Sequence, residues 1–533
     1  MRKILLTLGG AVLLAAPARA QLSDGDLLDT IQHSAFNYFW NEANPTLGLI
    51  KDRSTAGSPC SIAAVGFGLS SICVGVDHGW VTREDARQRV YNTLHTFYTW
   101  PQGTAASGTI GYRGFFYHFL DMSTGFRMPG WDPELSTIDS ALLMAGVLDA
   151  GAYFADPTDT TEAAIRTMAD SLYNRMDWTF FRNGTARIYM GWKPGTGFGG
   201  FGQWQGYNEA MIMEILALGS PTYVVPTTLW TTWTTTYNFG LQYGYQYIIF
   251  PPLFGHQYSH CWIDFRNIQD LYMRNHGITY AENTRRATLA QQAYCVANPG
   301  GFAGYSDSLW GITAGDDPDV GYQARGAPPT QNDNGTLSPT AVAGSLPFAP
   351  EICLPTLRNM YENYPLLWGT YGFKDAFNPG HLPSPWYDTD FLGIDQGPIV
   401  LMIENFTGNN IWNRFMQIPA IQNGLSRAGF LPSGAVTAAD PPKPVLGLAL
   451  LASQPSPIQG RGTIRFRMPV AGRVRLLLYD ARGRRERLLL DDERPAGEQS
   501  IALDASGLAQ GVYLARLETA AGSVSQKYVV LDR

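Results

Sequence analysis

Three acidic residues stand where helices are predicted to begin, and all three could carry acid–base chemistry. Asp139 lies three residues after Ser136, Glu209 directly follows Asn208, and Asp395 shortly precedes a proline. Hydrolysis of a glycosidic bond needs two carboxyl groups of this kind, one protonated and one ionised. Each position also has a local explanation: a capping box for Asp139, a first-turn acid for Glu209 and an N-cap for Asp395. Local sequence leaves both interpretations open.

The start of a helix affects an acid and a base differently. The positive end of the helix dipole stabilises an ionised carboxylate, which suits a base and opposes an acid. If Glu209 is the acid, burial or a neighbouring carboxylate must therefore raise its pKa.

Motifs for cofactors, metals or nucleophiles are weaker. Residues 195–200 match G-x-G-x-x-G, but no strand pattern precedes them, so a dinucleotide site is not expected. His256 and His260 have the spacing of a zinc helix without a glutamate between them. The acidic run 315–319 could bind calcium, although a solvated loop explains it more simply. The sequence predicts no metal and no cofactor.

Composition narrows the class of ligand. Aromatic residues make up 13% of the chain, with 14 Trp and 27 Tyr. Flat aromatic faces suit sugar binding, and a large helical core is the alternative explanation. The net charge of −7 argues against a nucleic-acid partner and gives no sign of a basic membrane anchor.

Helical patterns dominate the first 430 residues and are joined by long loops rich in Gly, Pro and aromatic residues. Helices are predicted from Leu27 to Phe39, Ala86 to Tyr98, Ile138 to Tyr153, Ala163 to Met176, Glu209 to Leu218, Ile268 to Met273, Thr288 to Val296, Pro350 to Tyr361 and Gly397 to Phe406. This number of helices is compatible with an (α/α)6 toroid, although another large α fold is not excluded. In a toroid, carboxylates at successive inner-helix starts would converge on one cleft.

Both ends of the chain have separate signatures. Residues 1–20 resemble a signal peptide, with Arg2 and Lys3 before an apolar stretch and an A-x-A site at 18–20. All 14 Trp precede residue 440, after which short strands alternate with turns and predict a small immunoglobulin-like β-sandwich. The expected organisation is a signal peptide at 1–20, a catalytic domain at 21–435, a Pro-rich linker at 436–446 and a β-sandwich at 447–533. Five scattered cysteines allow one disulfide or buried free thiols.

Four motifs, in order along the chain, resemble those of the bacterial glucoamylase-like domain of glycoside hydrolase family 144. They lie at 254–266, 282–291, 371–378 and 392–405. The resemblance covers about Leu27 to Phe430 and implies an (α/α)6 fold and an inverting, metal-independent β-1,2-glucanase. It also implies that Glu209 and Asp395 are the acid and base and that Asp139 lies in the same cleft. The run 407–410 departs from the family pattern, which affects expected sugar contacts rather than the chemistry.

The tail is similar to C-terminal sorting domains of the type IX secretion system, through the segments 479–484 and 508–513. This resemblance implies a secreted or cell-surface protein and contact with secretion machinery. A passive accessory sandwich is the alternative. We expect a monomer with a polysaccharide or oligosaccharide substrate.

Two other functions compete with a hydrolase. One is a carbohydrate-binding protein that has lost catalysis, which the retained carboxylates disfavour. The other is a polysaccharide lyase, which would need a cation to neutralise a uronate. The residues expected to contact sugar are Trp204, Tyr207, Trp192, His256, His260, Trp262, Asp264, Trp310 and Trp386.

Overall fold

The computed structural model describes residues 22–435 and, nearer the C-terminus, 448–468, 471–495, 497–519 and 522–531. The chain divides into two compact units, Met1–Val436 and Thr437–Arg533. The predicted signal peptide and the whole of the predicted linker lie outside the described residues.

The first unit is mostly helical. Its helices are α1 Asp24–Asn41, α2 Ile62–Asp77, α3 Arg83–Thr99, α4 Thr137–Tyr153, α5 Thr160–Asn174, α6 Trp178–Arg182, α7 Met211–Gly219, α8 Thr228–Thr234, α9 Leu271–His276, α10 Tyr280–Ala297, α11 Pro339–Ala343, α12 Pro350–Asn363, α13 Gly393–Thr407, α14 Asn410–Phe415 and α15 Pro419–Arg427. Short 3₁₀ turns occur at Leu253–His256, Tyr258–Cys261 and Pro365–Leu367. None of the helices in the described part of the chain is both long and apolar enough to cross a bilayer.

Short strand pairs stiffen the loops between these helices. The strands are β1 Ala43–Asn44, β2 Leu49–Ile50, β3 Cys60–Ser61, β4 Gly111–Tyr112, β5 Phe115–Phe116, β6 Phe119–Leu120, β7 Leu135–Ser136, β8 Gly191–Trp192, β9 Phe239–Gln242, β10 Tyr245–Ile248, β11 Ile268–Gln269, β12 Trp368–Gly369, β13 Gly372–Phe373, β14 Phe377–Asn378, β15 Trp386–Tyr387 and β16 Leu431–Pro432. Several pairs join distant segments, such as β3 with β6 and β7 with β8, so the loops are held at defined positions.

Two kinds of helix build the core. Helices α2, α4, α7 and α13 are buried along almost their whole length, whereas α1, α3, α5 and α12 bury one face. The buried helices pack in the order α13, α2, α4 and α7. The three candidate carboxylates lie at or just before the starts of α4, α7 and α13.

Helices α2 and α4 touch through their backbones. A Cβ added at Gly66 would lie 2.2 Å from the Leu142 carbonyl oxygen, and one added at Gly146 would lie 2.0 Å from the Gly66 carbonyl oxygen. No side chain fits between these backbones, so the two glycines set the spacing of the helices.

The second unit is β-rich. Its strands are β17 Ala449–Gln459, β18 Arg461–Met468, β19 Gly472–Asp480, β20 Arg485–Arg494, β21 Gly497–Asp504, β22 Gly511–Thr519 and β23 Gly522–Leu531. They hydrogen-bond in the order β20-β19-β22-β23-β17-β18-β21, and the β17–β23 pair is parallel while the other pairs are antiparallel. Alternate residues of β18 and β22 are buried, and they contribute to a separate apolar core.

Most helix predictions agree with this structure to within about four residues, but α10 begins at Tyr280 rather than at the predicted Thr288. Ile268 and Gln269 form strand β11 rather than the start of a helix, because they pair with β16. Helix α2 was not predicted, although it is among the most buried, and neither were the shorter helices α6, α8, α11, α14 and α15. All five cysteines are buried free thiols.

Candidate active site

Asp139 is the third residue of α4 and satisfies both interpretations of its position. The Ser136 hydroxyl caps the helix by accepting from the Asp139 N–H, and it also donates to the Asp139 carboxylate. The local cap is therefore real. The carboxyl group is nevertheless not confined to capping, because Asp139 also faces the imidazole of His118, with Oδ2 3.6 Å from Nε2.

His118 bridges two acids in this part of the site. Its Nδ1 lies 3.0 Å from Glu134 Oε1, opposite the nitrogen that faces Asp139. Burial opposes the imidazolium charge, but Asp139, Glu134 and Asp52 outweigh it and raise the pKa of His118 to about 9. At neutral pH a fixed cation therefore stands beside Asp139.

Glu209 lies in the turn before α7 rather than inside the helix. Helix α7 begins at Met211, and Ala210 in the cap position makes no side-chain cap. Ser259 holds the turn in place, because its hydroxyl donates to the Glu209 carbonyl and accepts from the Ile212 N–H. The first-turn interpretation is thus wrong by two residues.

The Glu209 carboxyl group is poised to hold a proton. Its Oε2 is buried and has no hydrogen-bond partner within the described residues. Burial, with a further contribution from the charge of Asp139, raises the pKa of Glu209 to about 7. A buried carboxyl group that holds a proton near neutral pH is what a general acid in glycoside hydrolysis needs.

Asp395 is the third residue of α13, and the N-cap interpretation is wrong. Leu392 occupies the cap position and no side chain caps the helix. The Thr340 hydroxyl donates to the Asp395 carbonyl, 3.0 Å away, and the Tyr258 hydroxyl donates to the Ile394 carbonyl. The Asp395 carboxyl group is 2% exposed and is free of any capping duty.

Tyr258 connects the two sides of the site. Burial raises the pKa of its hydroxyl, and the charges of Asp395 and Glu209 both add to that effect. Since Asp139 acts in the same way on Glu209, the three predicted carboxyl groups share one electrostatic neighbourhood.

Beside Asp395 lies a group of acids that we name the Asp cluster: Asp316, Asp375 and Asp388. Their nearest carboxylate oxygens all lie within 4.8 Å of one another, and all three residues are buried. Arg53 donates to Asp316 at 2.8 Å and approaches Asp390 at 3.5 Å. Burial, together with the charges of Asp375 and Asp316, raises the pKa of Asp388 to about 7.

The Asp cluster could serve two kinds of ligand. Carboxylate oxygens at this spacing suit a hard divalent cation, and the same oxygens accept hydrogen bonds from sugar hydroxyls. Sequence reasoning considered Asp316 only as part of a calcium loop and did not single out Asp388. Asp375 was visible only inside the motif at 371–378.

The residues expected to contact sugar divide into two groups, of which the first is partly exposed. Trp192 and Trp386 are intermediate in exposure, and both lie on short strands. Asp264 is also partly exposed, although both of its oxygens are engaged by Arg266. Trp204 is 7% exposed and donates from Nε1 to Thr137 at the start of α4.

The second group is buried in the core, so direct sugar contact by its members stays a prediction. The group consists of Tyr207, His256, His260, Trp262 and Trp310, each at most 1% exposed. Trp262 stacks on Phe67 and donates to Ser70, while burial lowers the pKa of both histidines to about 3. These side chains are enclosed by protein, and the two histidines are neutral at neutral pH.

Two aromatic residues that the sequence did not single out lie where sugar could reach them. Trp131 is 55% exposed and packs edge-on against Phe119, which in turn stacks on His118. Tyr322 is 45% exposed, and burial of its hydroxyl together with the charge of Asp395 raises its pKa. An exposed ring therefore stands on the Asp139 side and another on the Asp395 side.

Each of the two units matches a known protein family. Residues 202–419 match the family described as "Putative glucoamylase", and residues 454–531 match the secretion system C-terminal sorting domain. The sorting domain indicates export to the cell surface or the medium.

Two solved structures match this chain over nearly their full length. A "putative glucoamylase" from Bacteroides uniformis is 36% identical with a TM-score of 0.71, over 78% of this chain and 99% of that chain. An endo-β-1,2-glucanase from Chitinophaga pinensis, solved with sophorotriose and glucose, is 28% identical with a TM-score of 0.70, over 77% and 99%.

A curated relative extends the comparison. The exo β-1,2-glucooligosaccharide sophorohydrolase of Parabacteroides distasonis is 30% identical over 438 residues, which are 76% of this chain. The match covers 58% of that relative, so this chain spans less than two thirds of its length. From its helical fold, its carboxylate site and these matches, the chain belongs to the glucoamylase-like family, homologous to glycoside hydrolases that act on β-1,2-linked glucose, and it carries a C-terminal secretion sorting domain.

Proposed function

We propose that this protein is an exported glycoside hydrolase that cleaves β-1,2-glucan or its oligosaccharides with inversion. The observation that carries the proposal is that two differently surrounded carboxyl groups lie in one site. The Glu209 carboxyl group is protonated up to about pH 7, and Asp139 lies beside the His118 cation. The β-1,2 linkage is the one on which the relatives in Chitinophaga and Parabacteroides act.

In the proposed reaction Glu209 is the general acid. It protonates the glycosidic oxygen as the bond to the anomeric carbon breaks. A water attacks that carbon from the opposite face and gives a proton to Asp395, the proposed base. Asp139 holds the sugar and is the alternative base. An inverting pair needs a gap of roughly 6.5–9.5 Å to hold this water.

The proposed architecture places these groups on one rim. The buried helices α13, α2, α4 and α7 pack in sequence and support an (α/α)6 toroid for residues 21–435. The β-rich tail, 447–533, is proposed as an immunoglobulin-like sandwich that contacts the secretion machinery. We propose that the protein works as a monomer without a metal.

A panel of glucans tests the activity. We expect reducing ends from β-1,2-glucan and little release from β-1,3-, β-1,4- or α-linked glucans. Comparing long chains with sophoro-oligosaccharides distinguishes endo from exo action, which differ between the two relatives. Binding of β-1,2-glucan without turnover would support the carbohydrate-binding alternative, and unsaturated uronate products would support a lyase.

The stereochemistry is a separate test. NMR of the first product from a β-1,2-glucan should show the α-anomer before mutarotation, with inactive Glu209→Gln as the blank. A β-anomer would mean retention and would remove the water-activating role from Asp395. In that case Asp139 or Asp395 would have to attack the anomeric carbon directly, at about 5–5.5 Å from Glu209.

A further inference from the structure

Helix α7, directly after the Glu209 turn, and helix α13, which carries Asp395, both begin without a cap of their own. Within the described part of the chain, no cap-position side chain bonds to the first turn of either helix. The first N–H groups of a helix have no partner inside the helix, so a buried start needs partners from elsewhere. Helix α4 differs, because Ser136 caps it and the turn that carries Asp139 is held locally.

Ser259 supplies the missing cap of α7 from another segment. Its hydroxyl accepts from the Ile212 N–H at 3.0 Å and donates to the Glu209 carbonyl at 2.9 Å. Ile212 is the second residue of the helix, which is one of the positions where a capping oxygen normally binds. One hydroxyl group therefore fixes both the first turn of α7 and the backbone of the proposed acid.

Tyr258, the preceding residue, supplies a missing hydrogen bond at the start of α13. Pro398 lies inside that helix and has no N–H, so the carbonyl of Ile394 has no N–H four residues later to accept from. The Tyr258 hydroxyl donates to this carbonyl at 3.3 Å. Phe67 packs edge-on against the tyrosine ring, with 5.6 Å between the ring centroids, and holds it in place. Because Ile394 directly precedes Asp395, this bond fixes the turn that carries the proposed base.

The segment that contains Tyr258 and Ser259 is itself anchored on both sides. Gln257 donates to the Ala341 carbonyl of α11 at 2.7 Å, and Asn405 of α13 donates to the Cys261 carbonyl at 2.9 Å. Residues 257–261 are all buried. A segment that is bonded at both ends and closely packed keeps its inner side chains at fixed positions.

We propose that Tyr258 and Ser259 are positioning residues that together set the distance between the Glu209 and Asp395 carboxyl groups. Ser259 acts on the acid, and Tyr258 acts on the base. This inference rests on the proposed function, in which a water must fit between these two groups. Because an inverting pair works only over a limited range of separation, a shift at either helix start should slow the chemical step. Asp139, on the locally capped α4, lies outside this arrangement.

Removal of one hydroxyl group at a time tests the inference. Tyr258→Phe and Ser259→Ala should each lower kcat on β-1,2-glucan by roughly tenfold, because one of the two carboxyl groups is then misplaced. KM should change by less than about twofold, since both side chains are almost fully buried and do not hold the sugar. A rise in KM at unchanged kcat would contradict the proposal.

Tyr173→Phe and Ser71→Ala are the matched controls. Each removes a buried hydroxyl that donates to a helix carbonyl, at Leu216 in α7 and at Phe67 in α2. Neither bond lies at the start of α7 or of α13, so we expect kcat within about twofold of the wild type. Equal losses of kcat in the controls and in the two test variants would mean a general loss of packing and would overturn the proposal.

The two positions should respond differently to a better leaving group. A 2,4-dinitrophenyl β-sophoroside needs little protonation of its leaving oxygen, whereas it still needs an activated water. On this substrate Ser259→Ala should recover to about half of the wild-type kcat or more, while Tyr258→Phe should stay roughly tenfold low. Recovery of both variants, or of neither, would overturn the assignment of one residue to each carboxyl group.

Two further readouts separate this inference from the proposed function. If Glu209→Gln keeps full turnover on the glucan, the assignment of the acid fails, whatever Tyr258 and Ser259 do. Amide hydrogen exchange does not depend on turnover: Ser259→Ala should speed exchange over residues 211–215, and Tyr258→Phe over 393–399, by about tenfold or more. Unchanged exchange at both helix starts would disprove the positioning, even in an active hydrolase.

Discussion

The two sides of the site surround their carboxyl groups with different charges. On one side Asp139 faces a histidine cation, and the neighbouring Glu209 carries the proton. On the other side burial, together with the charges of the three Asp-cluster residues, raises the pKa of Asp395, and Arg53 pairs with one of those residues, Asp316. The contrast shows that the two aspartates have different electrostatic surroundings: Asp139 has a counter-ion, whereas Asp395 is buried beside further negative charge.

The largest effect is expected on the Glu209 side. Glu209→Gln should fold normally and lose turnover by ~10²–10⁴-fold or more, because a general acid has been removed. Steady-state assays on β-1,2-glucan, with thermal melting as the folding control, measure this. Turnover equal to that of the wild type would exclude Glu209 as the general acid. The functional contrast between the two sides of the site would then also fail.

The pH dependence of the wild-type enzyme sharpens the same assignment. Glu209 works only when protonated, and its pKa is about 7. Activity should therefore fall as the pH rises through about 7, provided that bound substrate does not move this pKa. Loss of the falling limb in a variant that retains turnover would show that another group supplies the proton.

His118→Asn should have an intermediate effect. Without the imidazolium, Asp139 loses its counter-ion, and we expect turnover to fall by about tenfold. The pKa of His118 is raised in the folded protein to about 9, so its contribution to stability is complete below its ordinary pKa and is lost as the pH rises through about 9. Urea unfolding should therefore show destabilisation at pH 6 that disappears near pH 10. Equal destabilisation at both values would mean that His118 contributes packing rather than charge.

Chelation should have little effect and tests the Asp cluster. If protons rather than a bound cation neutralise the negative charge of the Asp cluster, EDTA should leave turnover equal to that of the untreated enzyme within experimental error. Reversible loss of activity, restored by calcium or zinc, would show that a metal ion supplies the missing charge on the Asp395 side.

The smallest effect is expected from the tail. A protein ending at residue 435 should fold and keep the turnover of the full chain, because each unit has its own apolar core. Export should fail in that variant, whereas the purified enzyme should work. An insoluble or inactive truncated protein would show that the units depend on each other.

The sequence predicted the helical class, most of the helices and the three central carboxylates, but not their surroundings. Amphipathic helices such as α3 have a clear period, whereas α2 is buried on every face and so shows no alternation of apolar and polar residues. The fixed partners of the carboxylates, such as His118 and Asp388, lie on loops whose positions depend on strand pairs between distant segments. Local sequence patterns carry no signal for such long-range pairing. Composition also does not reveal whether an aromatic residue is buried or exposed, and Trp262, which is fully buried, is an example.

The contact between Gly66 and Gly146 has a consequence for how this protein can change. Because the two backbones leave no room for a methyl group, nearly every substitution at either position would separate α2 from α4 and shift the start of α4, where Asp139 lies. In a saturation mutagenesis experiment selected for soluble protein, these two glycines should tolerate fewer amino acids than Glu209 itself. Laboratory evolution toward new substrates should accordingly proceed through exposed aromatic residues such as Trp131 and Tyr322, and leave this helix crossing untouched.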